Sequence, residues 1–256
     1  MKKQRERLGA ERITRLAYLI TLLSFILPVG VIIYLITQAP AAVPEGSSGV
    51  RVKSDYILML VECMLGIIVI HLPSMLERRF HFELPAALYL MYILFLYCAI
   101  FLGEVRDYYY RVPHWDTILH AMSSVMAGVF GFTVVAMLNR NQRIAISLSP
   151  FFVALFAFCF AVTLGSLWEI YEFTFDGLLG MNMQKFRTAD GVVLAGHEAL
   201  ADTMKDIIVD TLGALFASIA GYLSLKAKHG WCTDIIEKYW DKRKAGPQGQ
   251  DAGEAG

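Results

Sequence analysis

Apolar residues in this chain are concentrated in six blocks that are separated by shorter polar stretches. Most blocks contain about twenty residues, which is the length that an α-helix needs to cross the hydrocarbon core of a bilayer. A water-soluble helix or strand would instead alternate apolar and polar positions at a period of 3.6 or 2. The blocks predict membrane-spanning helices at about 16–38, 56–72, 84–103, 117–138, 151–173 and 207–225.

The composition also indicates a membrane protein. Hydrophobic residues make up 56% of the 256 residues and charged residues only 18%, whereas about a quarter of a soluble domain is charged. The first block follows a basic segment, as in a signal peptide, but it is longer than the roughly 7–15 apolar residues of a signal core. We therefore predict an uncleaved first span, bent at Pro28 and Gly30, in an all-α, polytopic membrane helix bundle with about six transmembrane helices.

The distribution of charge predicts the orientation of the bundle. With the N-terminus in the cytoplasm, 16 of the 23 Lys and Arg residues lie on the cytoplasmic side, as the positive-inside rule requires. By the same assignment, 14 of the 23 Asp and Glu residues lie on the outer side or in the outer half of a span. We expect both termini in the cytoplasm (N-in/C-in) and a multi-pass location in a bacterial cytoplasmic membrane. Topology accounts for the basic residues, so nucleic-acid binding is not expected.

The chain is predicted to form a single membrane domain with two cytoplasmic extensions. Residues 1–15 form the basic N-terminus, 16–226 the six-span domain with its polar-site half at 104–226, and 227–256 the tail. In the tail, Trp231, Ile235, Ile236, Tyr239 and Trp240 have the spacing of a short interfacial helix, and a disordered end follows. The connection at 174–205 is predicted to be a capping or re-entrant loop with a short hairpin.

Ionisable residues within the spans are the main functional clue, because they are costly in a bilayer. Asp202, Asp206 and Asp210 are spaced by four residues, so they share one stripe of a helix. Small residues continue this stripe as Gly213, Ala217 and Gly221. Such small residues predict close helix packing in a membrane.

The same arrangement recurs on two other spans. On span four, small residues follow His120, and on span five Gly165 precedes Glu169 by one turn. We therefore expect His120, Glu169 and Asp210 to meet inside the bundle, about one helical turn (~5 Å) below its outer surface. Glu62 on span two is a further candidate for this group.

Several carboxylates and one imidazole at close range cannot all remain charged without compensation. One solution is a bound divalent cation, since carboxylates suit Mg²⁺, Ca²⁺ or Mn²⁺ and a histidine admits Zn²⁺ or Fe²⁺. A second is shared protons, which would allow a carboxyl group to act as a general acid or base. A third is ion pairing with Arg106, Arg111 or Lys205. The candidate catalytic residues are His120, Glu169 and Asp210.

Structural explanations exist for some of these residues. Asp202 and Asp206 near the start of a helix favour its dipole, and Glu172 and Asp176 suit an interface with lipid headgroups. His120 alone is more typical of a hydrogen-bonded packing residue than of a ligand. These explanations are weakest for Glu169 and Asp210.

Three motifs in the second half of the chain resemble those of a known family. They are Trp-Asp-Thr-Ile-Leu-His at 115–120, Trp-Glu-Ile-Tyr-Glu-Phe at 168–173 and Asp-Thr-Met-Lys-Asp-Ile-Ile-Val-Asp-Thr-Leu-Gly-Ala at 202–214. Residues 115–223 resemble the uncharacterised bacterial integral membrane proteins of the YjdF-like family and, more distantly, VanZ-like proteins. The resemblance implies a shared polar set, which is also the candidate metal-ligand set: Asp116, His120, Glu169, Glu172, Asp206 and Asp210.

The leading hypothesis is a site near the outer face that binds a divalent cation and acts on a membrane lipid or lipid-linked envelope substrate. Motifs for a nucleophilic serine or a zinc protease are absent from the sequence, so it does not establish that the protein is an enzyme. One alternative is a cation- or proton-coupled transporter, which the apolar inner halves of spans four to six disfavour. Another is a non-catalytic scaffold or sensor. Membrane lipids and a lipid-linked or cationic ligand are the expected partners.

Overall fold

The computed structural model describes residues 2–42, 44, 50–80, 84–138, 148–188, 191–228 and 230–232. Within these ranges the protein is all-helical, without a β-strand, and six segments are long and apolar enough to cross a membrane. The predicted fold class is therefore confirmed. The α-helices are α1 (Lys2–Ile26), α2 (Val29–Gln38), α3 (Lys53–Val69), α4 (Leu72–Phe80), α5 (Ala86–Leu96), α6 (Tyr108–Arg111), α7 (Trp115–Leu138), α8 (Pro150–Leu179) and α9 (His197–Ala227), and a π-helix (Tyr97–Val105) follows α5.

The first three spans are interrupted helices. A turn at Leu27 and Pro28 separates α1 from α2, because proline cannot donate the hydrogen bond that would continue α1. The interruption agrees with the predicted bend at Pro28, whereas Gly30 lies within α2. The second span combines α3 with α4, and the third combines α5 with the π-helix. Since α1 begins at Lys2, the described part of the basic N-terminus is helical.

The last two spans are longer than their hydropathy predicts. α8 continues to Leu179 and α9 begins at His197, so the connection between them is 180–196 rather than 174–205. The prediction stopped early because Asp176 and Asp206 lie just beyond the apolar blocks and so resemble parts of a water-exposed loop, whereas both side chains are buried. In the connection, the predicted hairpin is limited to one antiparallel bridge between Arg187 and Val193.

The spans form two halves with different packing. In the apolar half (α1–α5 with the π-helix), large side chains form the core, which contains Phe25, Ile32, Met59, Cys63, Ile70, Leu96 and Ile100. In the polar half (α7–α9), the three helices pack closely against one another. A Cβ atom at Gly128 would lie 2.7 Å from Ala217 Cβ, and one at Gly131 would lie 2.9 Å from Ala157 Cα. The predicted role of small residues in close packing is confirmed at these positions.

The polar half carries apolar side chains outside and ionisable side chains inside. On α8, Phe151 is 66% exposed and Phe173 is 68% exposed, whereas Glu169 is 4% exposed. Water would favour the opposite distribution, and a lipid environment favours this one. The proposed tail helix lies outside the described residues, except for Trp231 and Cys232.

Candidate functional site

His120 is the central residue of a buried polar cluster in the polar half, defined by Asp116, His120, Glu169, Asp206 and Asp210 and called the carboxylate cluster below. Its Nε2 atom lies 3.9 Å from Asp116 Oδ1, 4.0 Å from Glu169 Oε1 and 3.9 Å from Asp206 Oδ2. Its Nδ1 atom lies 3.3 Å from both carboxylate oxygens of Asp210. The two ring nitrogens therefore face different carboxylates.

Three helices contribute to the carboxylate cluster, each through its helical periodicity. Asp116 lies one turn before His120 on α7, and Asp206 lies one turn before Asp210 on α9. Glu169 comes from α8. Gly165, one turn before Glu169, leaves space for Asp210, because a Cβ atom there would lie only 3.0 Å from Asp210 Cγ. The absence of a side chain at Gly165 thus allows α8 and α9 to approach with a carboxylate between them.

Glu169 is the least compensated member of the cluster. Both of its carboxylate oxygens are shielded from solvent and lack a hydrogen-bond partner among the described residues. A buried carboxylate without hydrogen bonds is costly unless it is neutralised by a proton or a cation. The nearest basic atom recorded for it is His120 Nε2, at 4.0 Å. Glu169 is therefore stable in this position when it carries a proton or lies beside a cation.

The geometry around Nε2 suits a cation. Potential ligand atoms of Asp116, His120 and Asp206 all lie within 4.8 Å of one another. Atoms that bind one metal ion at about 2.1 Å lie roughly 3 to 4 Å apart, so small side-chain movements would complete a shell. Asp210 on Nδ1 matches the usual carboxylate partner of a metal-binding histidine, which fixes the tautomer with Nε2 free to bind.

The structure brings together five of the six residues in the predicted ligand set. Glu172, the sixth, is buried one turn further along α8, and no ion pair joins it to His120 among the described residues. Glu62 is half-buried on α3 and likewise forms no recorded ion pair. The distance from the cluster to the helix ends differs between helices: His120 lies five residues after the start of α7, whereas Glu169 lies ten residues before the end of α8, or about 15 Å at 1.5 Å per residue.

Several alternative explanations from the sequence do not fit the structure. Because α9 begins at His197, Asp202 and Asp206 lie beyond the first turn, where the helix dipole acts. Asp176 is buried rather than at a lipid interface, and it accepts hydrogen bonds from the backbone N–H groups of Met183 (2.8 Å) and Gln184 (2.9 Å). It therefore holds the connection in place.

The proposed ion pairs with outer basic residues are also not observed. Arg111 pairs with Asp107 at 3.2 Å rather than with the cluster. Arg106 and Lys205 are exposed, and neither forms an ion pair with the cluster in the described part of the chain. Among the described residues, none of these three basic side chains forms an ion pair that would compensate the buried carboxylates.

Lys185, in the connection between α8 and α9, was not among the site residues predicted from the sequence. Burial of its ammonium group opposes the charged form, but Tyr110 and the carboxylates of Glu104, Asp116 and Glu172 outweigh this effect and raise the pKa of Lys185. Lys185 is thus a cation near the carboxylate cluster. Its position three residues after Asn182 in a loop gave no periodic pattern that could have identified it.

Comparisons with known proteins are consistent with this structure. An uncharacterized protein of Thermotoga maritima is 29% identical over 160 residues, which cover 62% of this chain and 74% of the relative. No solved structure matches the chain. The family model described as "Predicted membrane protein (DUF2238)" matches residues 19–227, a range that includes the first three spans as well as the polar half. The chain therefore belongs to the DUF2238 family of predicted membrane proteins.

Proposed function

We propose that this protein binds a divalent cation in the carboxylate cluster and uses it to act on the polar part of a membrane lipid or a lipid-linked envelope substrate. The observation that carries the proposal is Glu169, whose buried oxygens lack hydrogen bonds to the residues that the structure describes and whose Oε1 atom lies 4.0 Å from His120 Nε2. A cation between these atoms would satisfy both residues and would offset the charges of Asp116 and Asp206.

In this proposal, the residues have distinct roles. Asp116, His120, Glu169 and Asp206 bind the cation directly, and Asp210 accepts the Nδ1–H of His120 so that Nε2 remains free. Glu172 is buried but forms no ion pair with His120 among the described residues, so it would contribute nearby negative charge rather than a ligand atom. One imidazole with several carboxylates suits Mn²⁺, Zn²⁺ or Fe²⁺. Such an ion would supply Lewis acidity and a polarised water molecule.

The location of the cluster suits a substrate that arrives within the membrane. The cluster lies among helices whose outer faces are apolar, as at Leu167 and Phe173, and close to the polar connections at one end of the bundle. A lipid headgroup can reach this depth laterally, whereas a fully water-soluble substrate would have to enter through the connections. We also propose, from the distribution of Lys and Arg, that this end faces outward from a bacterial cytoplasmic membrane.

A transport function lacks a comparable supporting observation. A pathway across the membrane needs polar groups along its length. In the described residues of α7–α9, no ionisable side chain is buried between His120 and the end of α7, before Glu169 on α8, or after Asp210 on α9. The buried ionisable residues thus lie toward one end of α7–α9, which suits a binding site better than a pathway across the membrane.

Metal binding to purified protein tests the proposal. After removal of bound metals, calorimetric titration of wild type with Mn²⁺ and with Zn²⁺ should show one site per chain. Glu169→Gln should weaken binding at least 100-fold, because it removes a ligand charge while preserving size. Glu198→Gln, which alters an exposed residue on the same face of the membrane, is the matched control and should bind as wild type does. Folded wild type that binds neither ion would refute the metal site.

A further inference from the structure

A second polar feature lies at the same end of the bundle as the carboxylate cluster. It is a cavity of about 470 Å³, bounded by the start of α3, the segment after the π-helix and the connection 180–196. Five basic and three acidic residues line it, which gives a formal excess of two positive charges. They are Arg51, Arg106, Arg111, Lys185 and Arg187, with Asp55, Glu104 and Asp107. The cavity is thus positively charged within a bundle whose interior is acidic.

Three of the arginines are held in place by the acidic residues of the wall. Arg51 Nη2 donates to Asp107 Oδ1 at 2.7 Å and to the Glu104 backbone carbonyl at 3.1 Å. Arg111 Nε donates to the second oxygen of Asp107 at 3.2 Å. Across the cavity, Arg187 Nη2 pairs with Asp55 Oδ1 at 3.2 Å. These pairs fix the wall and neutralise much of its charge.

Arg106 and Lys185 account for the remaining positive charge. Neither forms an ion pair with an acidic residue in the part of the chain that the structure describes. The Nζ atom of Lys185 lies 4.6 Å from the centre of the Tyr109 ring and 5.7 Å from that of Tyr110, and it donates to the Asn182 carbonyl at 3.5 Å. Aromatic faces stabilise an ammonium group without neutralising its charge, so Lys185 remains available to an anion.

The segment that carries Lys185 is anchored on both sides. Asn182 Nδ2 donates to the Arg187 carbonyl at 2.7 Å and to Tyr110 Oη at 3.2 Å. Its Oδ1 atom accepts from the Arg187 backbone N–H at 2.9 Å. The two bonds to Arg187 hold the loop together, and the bond to Tyr110 connects it to the opposite wall of the cavity. The ammonium of Lys185 is therefore held at the wall of the cavity, where the charges of Glu104, Asp116 and Glu172 act on it.

We propose that this cavity binds the phosphate group of an anionic ligand, carried either by a soluble phosphate ester or by a phospholipid headgroup, with Lys185 and Arg106 as its principal contacts. Proteins commonly bind phosphate through clustered guanidinium and ammonium groups, like those of Arg106 and Lys185. The bound phosphate would lie at the same end of the bundle as the carboxylate cluster. Anion binding itself requires no metal, whereas the identification of this ligand as the substrate rests on the proposed function.

The test uses two probes and the full-length, metal-free protein. Soluble glycerol 3-phosphate is titrated calorimetrically, and retention of phosphatidylglycerol relative to phosphatidylcholine is measured in nanodiscs. Lys185→Met should weaken binding at least tenfold, and Arg106→Gln, which alters an exposed residue, should weaken it several-fold. Lys205→Met is the matched control, because Lys205 does not line the cavity, and its binding should remain within twofold of wild type.

The two probes distinguish the source of the phosphate. Binding of glycerol 3-phosphate supports a soluble ester, and selective retention of phosphatidylglycerol alone supports a lipid headgroup. If Lys185→Met does not fold, Arg106→Gln decides the outcome. Unchanged affinity in the folded variants, or binding of neither probe to wild type, would overturn the proposal. Metal-free Glu169→Gln should bind both probes as wild type does, so a failed metal site and a failed phosphate site give different results.

Discussion

The apolar and polar halves each contain three segments that are long and apolar enough to cross a membrane, but their helices pack in different ways. In the apolar half, Phe25, Met59 and Ile100 fill the space between helices. In the polar half, small residues bring the backbones together, and ionisable side chains occupy the remaining space. The difference shows that a membrane bundle can hold several carboxylates when its helices are close enough to surround each one with protein rather than lipid.

Two glycines illustrate the difference. A Cβ atom at Gly66 in the apolar half would meet the ends of flexible side chains, Ile100 Cδ1 at 2.7 Å and Phe25 at 3.0 Å. A Cβ atom at Gly131 in the polar half would meet the Ala157 backbone at 2.9 Å. Side-chain ends can move aside, but a helix backbone cannot. Gly131 in the polar half is therefore less tolerant of an added side chain than Gly66 in the apolar half.

The largest expected effect comes from separating α7 and α8. Gly131→Leu should destabilise the protein by about 3 kcal/mol or more, because overpacking of this size forces backbone movement. Gly30→Leu on α2 is the matched control, since a Cβ atom at Gly30 has no neighbour within 4 Å. Thermal unfolding in detergent should show a large loss for Gly131→Leu and little change for Gly30→Leu. Equal losses would remove the distinction between the halves.

A cation should stabilise the polar half selectively. At a concentration 100 times its Kd, a ligand that binds only the folded state adds about 2.7 kcal/mol. Wild-type protein should therefore unfold at a higher temperature with Mn²⁺ or Zn²⁺ than with a chelator. Glu169→Gln should lose this difference, whereas Glu77→Gln in the apolar half should retain it. A metal-induced shift that persists in Glu169→Gln would place the ion elsewhere.

Removal of the Asp210 charge, which faces Nδ1 of His120, should have an intermediate effect on metal affinity. Asp210→Asn preserves the shape of the side chain but weakens its hold on the Nδ1–H of His120. Loss of such a partner costs about 10- to 100-fold in metal affinity, less than loss of the ligand Glu169. Calorimetric titration of both variants checks this order. Equal affinities for wild type and Asp210→Asn would show that Asp210 does not position the histidine.

The smallest expected effect concerns the segment after α9, which packs on the polar half. The Trp231 ring lies 5.6 Å from that of Phe132, edge to face, and Cys232 is fully buried. Burial raises the pKa of the Cys232 thiol to about 12, so the reactive thiolate is scarce at pH 8 and becomes abundant only as the pH approaches that value. Maleimide at pH 8 should label Cys232 slowly in wild type and faster in Phe132→Ala. Rapid labelling in wild type would contradict the packing.

The sequence was informative about the polar half because its features follow helical periodicity. The four-residue spacing of Asp206 and Asp210, and the small residues beyond them, identified the buried face correctly. The ends of α8 and α9 were wrong because hydropathy treats every charged residue as exposed. Hydropathy alone does not recognise Asp176 or Asp206 as buried, because their burial depends on the neighbouring helices.

The parts of the site that the sequence did not predict depend on irregular backbone. Lys185 has a left-handed backbone conformation (φ 50°) in a loop, and its position follows from the hydrogen bonds of Asn182. Glu104 lies at the end of a π-helix, whose wider turn changes the direction of a side chain relative to an α-helix. Neither arrangement has a period that a sequence pattern can reveal.

The central claim is that a divalent cation lies between His120 Nε2 and the carboxylates of Asp116, Glu169 and Asp206. The most direct measurement is an anomalous diffraction map from crystals of the full-length protein grown with Mn²⁺. We predict one strong peak about 2.1–2.3 Å from His120 Nε2 and within coordinating distance of Glu169. The contact between His120 Nδ1 and the Asp210 carboxylate should be retained. A map from crystals grown in excess Mn²⁺ that shows His120 and Glu169 ordered but no peak near Nε2 would contradict this site.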